Sequence, residues 1–176
     1  MKKARTKNNG DYMEKFKLPK SGKIRCYHAG RKVPRTGEIG EGDDFLGFHC
    51  GTLDQTFTRL NYTEILDKAE DNEQETIEEY NIGIKNIKKS EIGLYEITYK
   101  KPHNLLSEEE LIIEGKDIRR KGYDLIPYLN MIESAGFDEN KKIEDVVSYV
   151  GLNPNNIKLI NVRKVFDIPE AHDYWH

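Results

Sequence analysis

Two short blocks constrain this chain more than any other part of it. Tyr27-His28-Ala29-Gly30 closes a strand-like run from Ile24 to His28, and Gly47-Phe48-His49-Cys50-Gly51-Thr52 closes a second run from Phe45 to Cys50. In each block a His is followed two residues later by Gly. Glycine lets a ligand come close to the backbone, because no Cβ stands in the way. The imidazole adds a donor or an acceptor. Thr52 is placed to cap a helix carrying Leu53, Phe57 and Leu60 on one face, out to about residue 70, and the start of that helix aims free N–H groups at the same spot. The arrangement suits a ligand with amide, hydroxyl and phosphate groups. Taken singly, each His also reads as an ordinary structural residue at a strand end.

The rest of the chain reads as a mixture of helices and strands that do not strictly alternate. Residues 29–44 are rich in Gly, Pro, Arg and Asp and form a long loop. Leu94 to Tyr99 has the aromatic and β-branched content of a strand, and Ser107 before three glutamates is a helix start of capping-box type. A turn around Gly122 leads into the apolar run Leu125 to Ile132, where Pro127 favours an edge or bulge position. Residues 142–147 read as a short helix or loop. Ser148 to Val150 and Ile157 to Val162 are strands separated by Asn153-Pro154-Asn155-Asn156, with Val165 and Phe166 extending the second. The expected fold class is α+β. The expected organisation is a basic polar arm over 1–21, one domain over 22–167 and a tail over 168–176.

Charge is divided unevenly. Residues 1–32 hold eleven Lys or Arg and two acids, a net +9, which leaves −12 on residues 33–176 of a chain whose total is −3. A basic arm on an acidic body reads either as a solvated tail or as a device for attracting phosphate. The acids between Glu64 and Glu79 read as a solvated helix face and loop that repels nucleic acid on that side. Charged residues make up 34%, but ten Tyr, six Phe and one Trp argue against disorder over most of the length. Two cysteines are too few for a disulfide framework, and the simple expectation is an intracellular protein with free thiols. No apolar run approaches the length of a membrane span, and no apolar segment follows the basic N-terminus as a signal peptide requires.

A third block, Gly122-Tyr123-Asp124-Leu125-Ile126-Pro127-Tyr128-Leu129-Asn130-Met131-Ile132-Glu133, ends an apolar run in a single acid. From this segment alone, Glu133 reads equally as an edge residue in solvent or as an acid kept from water by its neighbours. The order of the blocks resembles the small ADP-ribosyltransferase-like domains of bacteriophage proteins, including the polyvalent proteins. The matching positions are Gly47 to Thr52 with Arg59-Leu60, Leu94-Tyr95-Glu96-Ile97 leading to Asn104-Leu105, and Gly122 to Ile126 with Tyr128, Asn130 and Glu133. They continue through Ser148-Tyr149-Val150 and Asn153-Pro154 to Ile157-Lys158. The likeness spans residues 24–162. This chain departs from the family pattern in carrying Ala29 between His28 and Gly30, Cys50 in place of an aromatic residue, Leu125 in place of Gly, and Leu105 directly after Asn104.

The resemblance implies split sheets enclosing an NAD cleft, with NAD as substrate. It implies that His28 meets ribose hydroxyls, that the backbone of Ala29 to Gly30 meets the nicotinamide amide, and that Gly47 to Thr52 supports the nicotinamide ribose. Tyr27, Arg31, His49, Gly51, Thr52, Tyr128 and Asn130 complete the expected NAD-binding set. Glu133 is the expected catalytic acid, its carboxylate stabilising the oxocarbenium-like ribose left as nicotinamide departs. Arg25, Arg31 or Arg35 is expected at the pyrophosphate, since the guanidinium fork suits phosphate.

The implied activity is mono-ADP-ribosylation of a host macromolecule in the cytoplasm, a protein being favoured over nucleic acid as acceptor. The alternative is the same fold without catalysis, gripping a partner. No metal is expected. His172 and His176 have helical spacing but no third ligand, and a thiol nucleophile at Cys26 or Cys50 is set aside. No phosphate-binding loop, dinucleotide fingerprint or nucleophile elbow is present.

Overall fold

The computed structural model describes residues 13–29, 47–66, 77–131, 133–134 and 141–175. In chain order the elements are β1 (Lys23–Ala29), β2 (Phe48–Cys50), α1 (Leu53–Asn61), a π-helical stretch (Tyr62–Leu66), α2 (Ile77–Lys89), β3 (Glu91–Thr98) and α3 (Glu108–Arg120). These are followed by β4 (Leu125–Leu129), α4 (Ile143–Val146), β5 (Val147–Gly151), β6 (Ile157–Lys164) and α5 (Pro169–Tyr174). The α+β expectation therefore holds at the level of a mixed fold with two small antiparallel sheets, ordered β1-β3-β6 and β2-β5-β4.

The sheets meet at one seam. The N–H of Tyr27 donates to the carbonyl of Gly51 at 2.8 Å, and the Gly51 N–H returns the bond to Tyr27 at 3.0 Å. One residue back on each strand, Cys26 and Cys50 are joined by a disulfide, with Cα atoms 5.6 Å apart. The expectation of free thiols is thus corrected. Tertiary pairing of β1 with β2 sets the two cysteines within cross-linking reach, although 24 positions separate them in sequence.

Between the sheets lies a core of Ile24, Phe48, Tyr95, Ile97, Leu125 and Ile157 around that cross-link. The period-2 alternation of β1 puts Ile24 and Cys26 into it and leaves Lys23 and Arg25 exposed. On the other side of the second sheet, Leu111 and Ile118 of α3 cover Ile126 and Val150. All five residues of β4 are buried, yet β4 is an edge strand, as Pro127 requires. Its outer edge is covered by residues 102–106. The N–H groups of His103 and Leu106 donate to the carbonyls of Leu125 and Pro127, so the side on which proline lacks a donor faces away from β5.

Thr52 caps α1 as expected. Its hydroxyl accepts from the Gln55 N–H at 3.1 Å, and the Gln55 side chain accepts from the Thr52 N–H at 2.9 Å. The helix ends at Asn61 and gives way to the π-helical stretch, short of residue 70. Thr52→Ala should lower unfolding free energy by about 1 kcal/mol, read as a reduced urea midpoint at unchanged slope.

Three expectations change in the structure. Val165 and Phe166 form a 3-10 turn and do not prolong β6. Residues 169–174, read as tail, form a helix, and Ile168, Ala171 and Trp175 are buried with Phe57, Leu60 and Ile87. At the other end, Met13 and Phe16 pack against the Leu129 cluster and Leu18 against the inter-sheet core, so the last part of the arm is docked on the body. Residues 1–12 of the arm, the loop over 30–46 and the acids over 67–76 lie outside the described residues. No described helix is long and apolar enough to cross a membrane.

Candidate functional site

A cleft of about 560 Å³ opens at the seam, within the size range of small-molecule sites. β1 contributes Tyr27, His28 and Ala29 to its wall, and β2 contributes Phe48, His49 and Cys50, followed by Gly51. From α1 and beyond come Gln55, Thr56, Arg59, Leu60 and Thr63, and from the far edge Tyr128, Ser148 and Glu133. Most of the residues singled out in the sequence therefore share one cavity, though they come from three distant stretches of chain. Asn130 sits directly behind it, and Thr52 caps the helix beside it. Gly30, Arg31 and Arg35 lie outside the described residues. Arg25 is not on the cleft wall; it pairs with Glu96 on the outer side of its sheet, Nε to Oε2 at 3.4 Å.

His28 is held by its neighbours, the Tyr95 ring among them. Its Nδ1–H donates to the His49 carbonyl at 2.7 Å, and its ring packs on Phe48 with centroids 4.6 Å apart. His49 Nδ1 and the Tyr128 hydroxyl share a hydrogen bond of 3.3 Å. Burial, then the proximity of His28 and of Arg59, lowers the His49 pKa to about 4, so its imidazole is neutral near pH 7. Burial, followed by the Glu133 charge, holds the Tyr128 hydroxyl above the ordinary tyrosine range and keeps it protonated.

Glu133 is fixed by its neighbour three residues back. Asn130 Nδ2 donates to Glu133 Oε2 at 2.8 Å, and Asn130 Oδ1 accepts from the Glu133 N–H at 3.1 Å. Arg59 Nη1 lies 3.6 Å from Glu133 Oε1. Burial raises the Glu133 pKa, while the Asn130 hydrogen bond and the Arg59 charge oppose the rise.

Behind the acid runs a buried polar chain. Asn130 Nδ2 also donates to Ser148 Oγ at 3.0 Å, Ser148 Oγ donates to Gln55 Oε1 at 2.8 Å, and Gln55 Nε2 donates to Ser134 Oγ at 2.8 Å. Among the described residues no buried side-chain polar atom lacks a partner. This chain explains Gly51. A Cβ there would collide with Gln55 Oε1 and lie 2.8 Å from Ser148 Oγ.

Sequence reasoning passed over Gln55, and it quoted Arg59 and Ser148 only as parts of a strand or a family pattern. The available signal was Gln55 three residues after Thr52, with Arg59 and Thr63 at successive i+4 steps. That is a polar stripe on the side of α1 away from Phe57. Among the described residues no group of three His, Cys, Asp or Glu is placed to hold a metal ion.

The two titrating groups have opposite effects on stability. His49 has a folded pKa below its unfolded 6.5, so its contribution is present above pH 6.5 and is lost as pH falls toward about 4. Glu133 has a folded pKa above 4.5, so its contribution is present below that value and is lost as pH rises. Urea unfolding between pH 4.5 and 7 should show a steeper loss on acidification in Glu133→Gln, where His49 acts unopposed, and a flatter one in His49→Gln. Equal slopes in all three proteins would contradict the assignment.

Comparison with known protein families finds no match, and no curated protein or solved structure matches the chain. The functional reading therefore rests on the cleft.

Proposed function

We propose that the cleft binds NAD and that the protein is an NAD-dependent mono-ADP-ribosyltransferase of the bacteriophage type, with an ADP-ribosyltransferase-like arrangement of its two sheets. The observation that carries the reading is a single carboxylate, Glu133, held by Asn130 in a cleft that also presents His28 and His49. The donor set fits the substrate. The rings of Tyr27, His28 and Phe48 offer a surface for a flat nicotinamide, and the His28 imidazole offers a hydrogen bond to ribose hydroxyls. Glu133 is an acceptor for a 2′-hydroxyl next to the reacting carbon.

In the reaction, the bond between ribose C1′ and the nicotinamide nitrogen breaks, and the electron pair leaves with nicotinamide. The Glu133 carboxylate stabilises the positive charge developing on the ribose. A nucleophile on the acceptor then bonds to C1′ and gives up its proton. Neutral His49 and protonated Tyr128 add no second ionised group at neutral pH, which leaves Glu133 as the anionic pole of the cleft. The acceptor is a host macromolecule, a protein before a nucleic acid, because the body of the chain is acidic.

Nicotinamide release from NAD, with and without bacterial lysate as acceptor, tests the proposal. Release stimulated by lysate supports transfer, and release without stimulation supports hydrolysis at the same site. Folded protein that releases nothing would overturn the enzyme reading in favour of a binding module.

A further inference from the structure

We infer that Arg59 is an exchangeable latch. It rests on Glu133 when the cleft holds no anion, and it transfers to a phosphate or diphosphate group of the ligand when one enters. This rests on the reading of the cleft as an NAD site for the identity of the ligand, but not for the exchange itself.

Four observations carry it. Arg59 is the only Lys or Arg among the described residues that line the cleft, and Glu133 is the only acid there. The Arg59 side chain is 61% exposed, so the guanidinium stands at the mouth, where an anion arrives from solvent. Its approach to Glu133, at 3.6 Å, is longer than an ordinary charge-assisted hydrogen bond of roughly 2.7–2.9 Å, which leaves its five N–H donors largely unspent on the acid. Glu133 does not depend on Arg59 for its place, since Asn130 holds both its carboxylate and its backbone N–H. Arg59 can therefore leave without releasing the acid.

Its position on α1 supports the same role. Gln55, Arg59 and Thr63 line one wall at helical spacing, and the Gln55 end is locked into the buried polar chain. The helix backbone is fixed while the arginine in its last turn reaches outward. Arg25, the one described arginine of the three expected at the pyrophosphate, is paired with Glu96 on the outer side of its sheet. Exchange has a consequence for the acid. While latched, Arg59 offsets the negative charge of Glu133; once moved to an anion, it leaves that charge to face the ligand. The anion thereby prepares the carboxylate.

Calorimetric titration with ADP-ribose, and separately with inorganic pyrophosphate, tests this on four proteins: wild type, Arg59→Gln, Glu133→Gln and the double variant. Arg59→Gln should weaken both ligands by about tenfold or more, in keeping with loss of a charge-assisted phosphate contact. Glu133→Gln frees the arginine and should tighten pyrophosphate by roughly two- to fivefold, the scale of an exposed ion pair. In the double variant that gain should vanish, which is the signature of exchange. Arg59 is exposed, so the variants should melt like wild type, and Arg59→Lys provides a folded control that keeps the charge.

Unchanged pyrophosphate affinity in Arg59→Gln, or no gain in Glu133→Gln, would overturn the latch. ADP-ribose binding that ignores Arg59 would sink the latch and leave the NAD reading standing. Pyrophosphate binding that depends on Arg59, in a protein that ignores ADP-ribose, would do the reverse. Binding of neither would end both.

Discussion

On the proposed function, Glu133→Gln will cut nicotinamide release by about 10²- to 10³-fold while leaving the protein folded, the usual cost of removing a group that stabilises transition-state charge. The amide is nearly isosteric and can still accept from Asn130 Nδ2, which now lies 2.8 Å from the carboxylate. What disappears is the anion. The loss should therefore fall on kcat, with KM for NAD little changed, because the ground state carries no full positive charge at C1′. The experiment is a steady-state comparison over a range of NAD concentrations, backed by thermal melts of both proteins. A variant with wild-type turnover would remove Glu133 from the chemistry. A variant whose KM rises at constant kcat would make it a binding group only.

Trp175→Ala will destabilise the fold by about 3–5 kcal/mol, the range for deleting a large aromatic side chain from a core. The indole is 9% exposed. Its ring centroid is 5.1 Å from that of Phe57, and its Nε1–H donates to Asn61 Oδ1 at 3.1 Å. Tyr174 adds a second tie, its hydroxyl 3.0 Å from Thr58 Oγ1. Both residues dock on α1, the helix that carries Gln55 and Arg59 to the cleft. Removing residues 168–176 should therefore unfold the protein or leave it too loose to bind ligand. Urea denaturation decides: a midpoint within error of wild type would mean that the C-terminal helix contributes nothing to the core.

The sequence disclosed the parts of this molecule that local chemistry dictates. Thr52 and Ser107 announce their helices by hydroxyl caps, and both form capping boxes. Pro127 announces an edge strand because it cannot donate to a ladder. Neither His ends its strand, since β1 runs on to Ala29 and β2 to Cys50; His28 and His49 come together because the two strands meet at Tyr27 and Gly51. Hidden features depend on pairing at a distance. Cys26 and Cys50 look like isolated thiols until β1 and β2 are set side by side. The segment from Ile168 onward is short and charged, and only the burial of Ile168, Ala171 and Trp175 in one cluster with Phe57 and Leu60 reveals it as core. In α2 only Gly83 and Ile87 are buried, too sparse a pattern to stand out from sequence. Gln55 looks like an ordinary surface amide, and its value comes from Ser148 and Ser134, each far away along the chain.

The cross-link between Cys26 and Cys50 also bears on how this protein can change over evolutionary time. Lengthening an ordinary loop costs closure entropy, about 0.6 kcal/mol per doubling. Here the ring is closed by a covalent bond that persists in the unfolded chain, so extra residues between the cysteines burden folded and unfolded forms alike and the difference nearly cancels. The chain departs and returns at points 5.6 Å apart, whatever its length in between. Insertions and deletions between Ala29 and Gly47 are therefore close to neutral for stability, so the length of this stretch is free to vary while the covalent tie between the two strands stays the same.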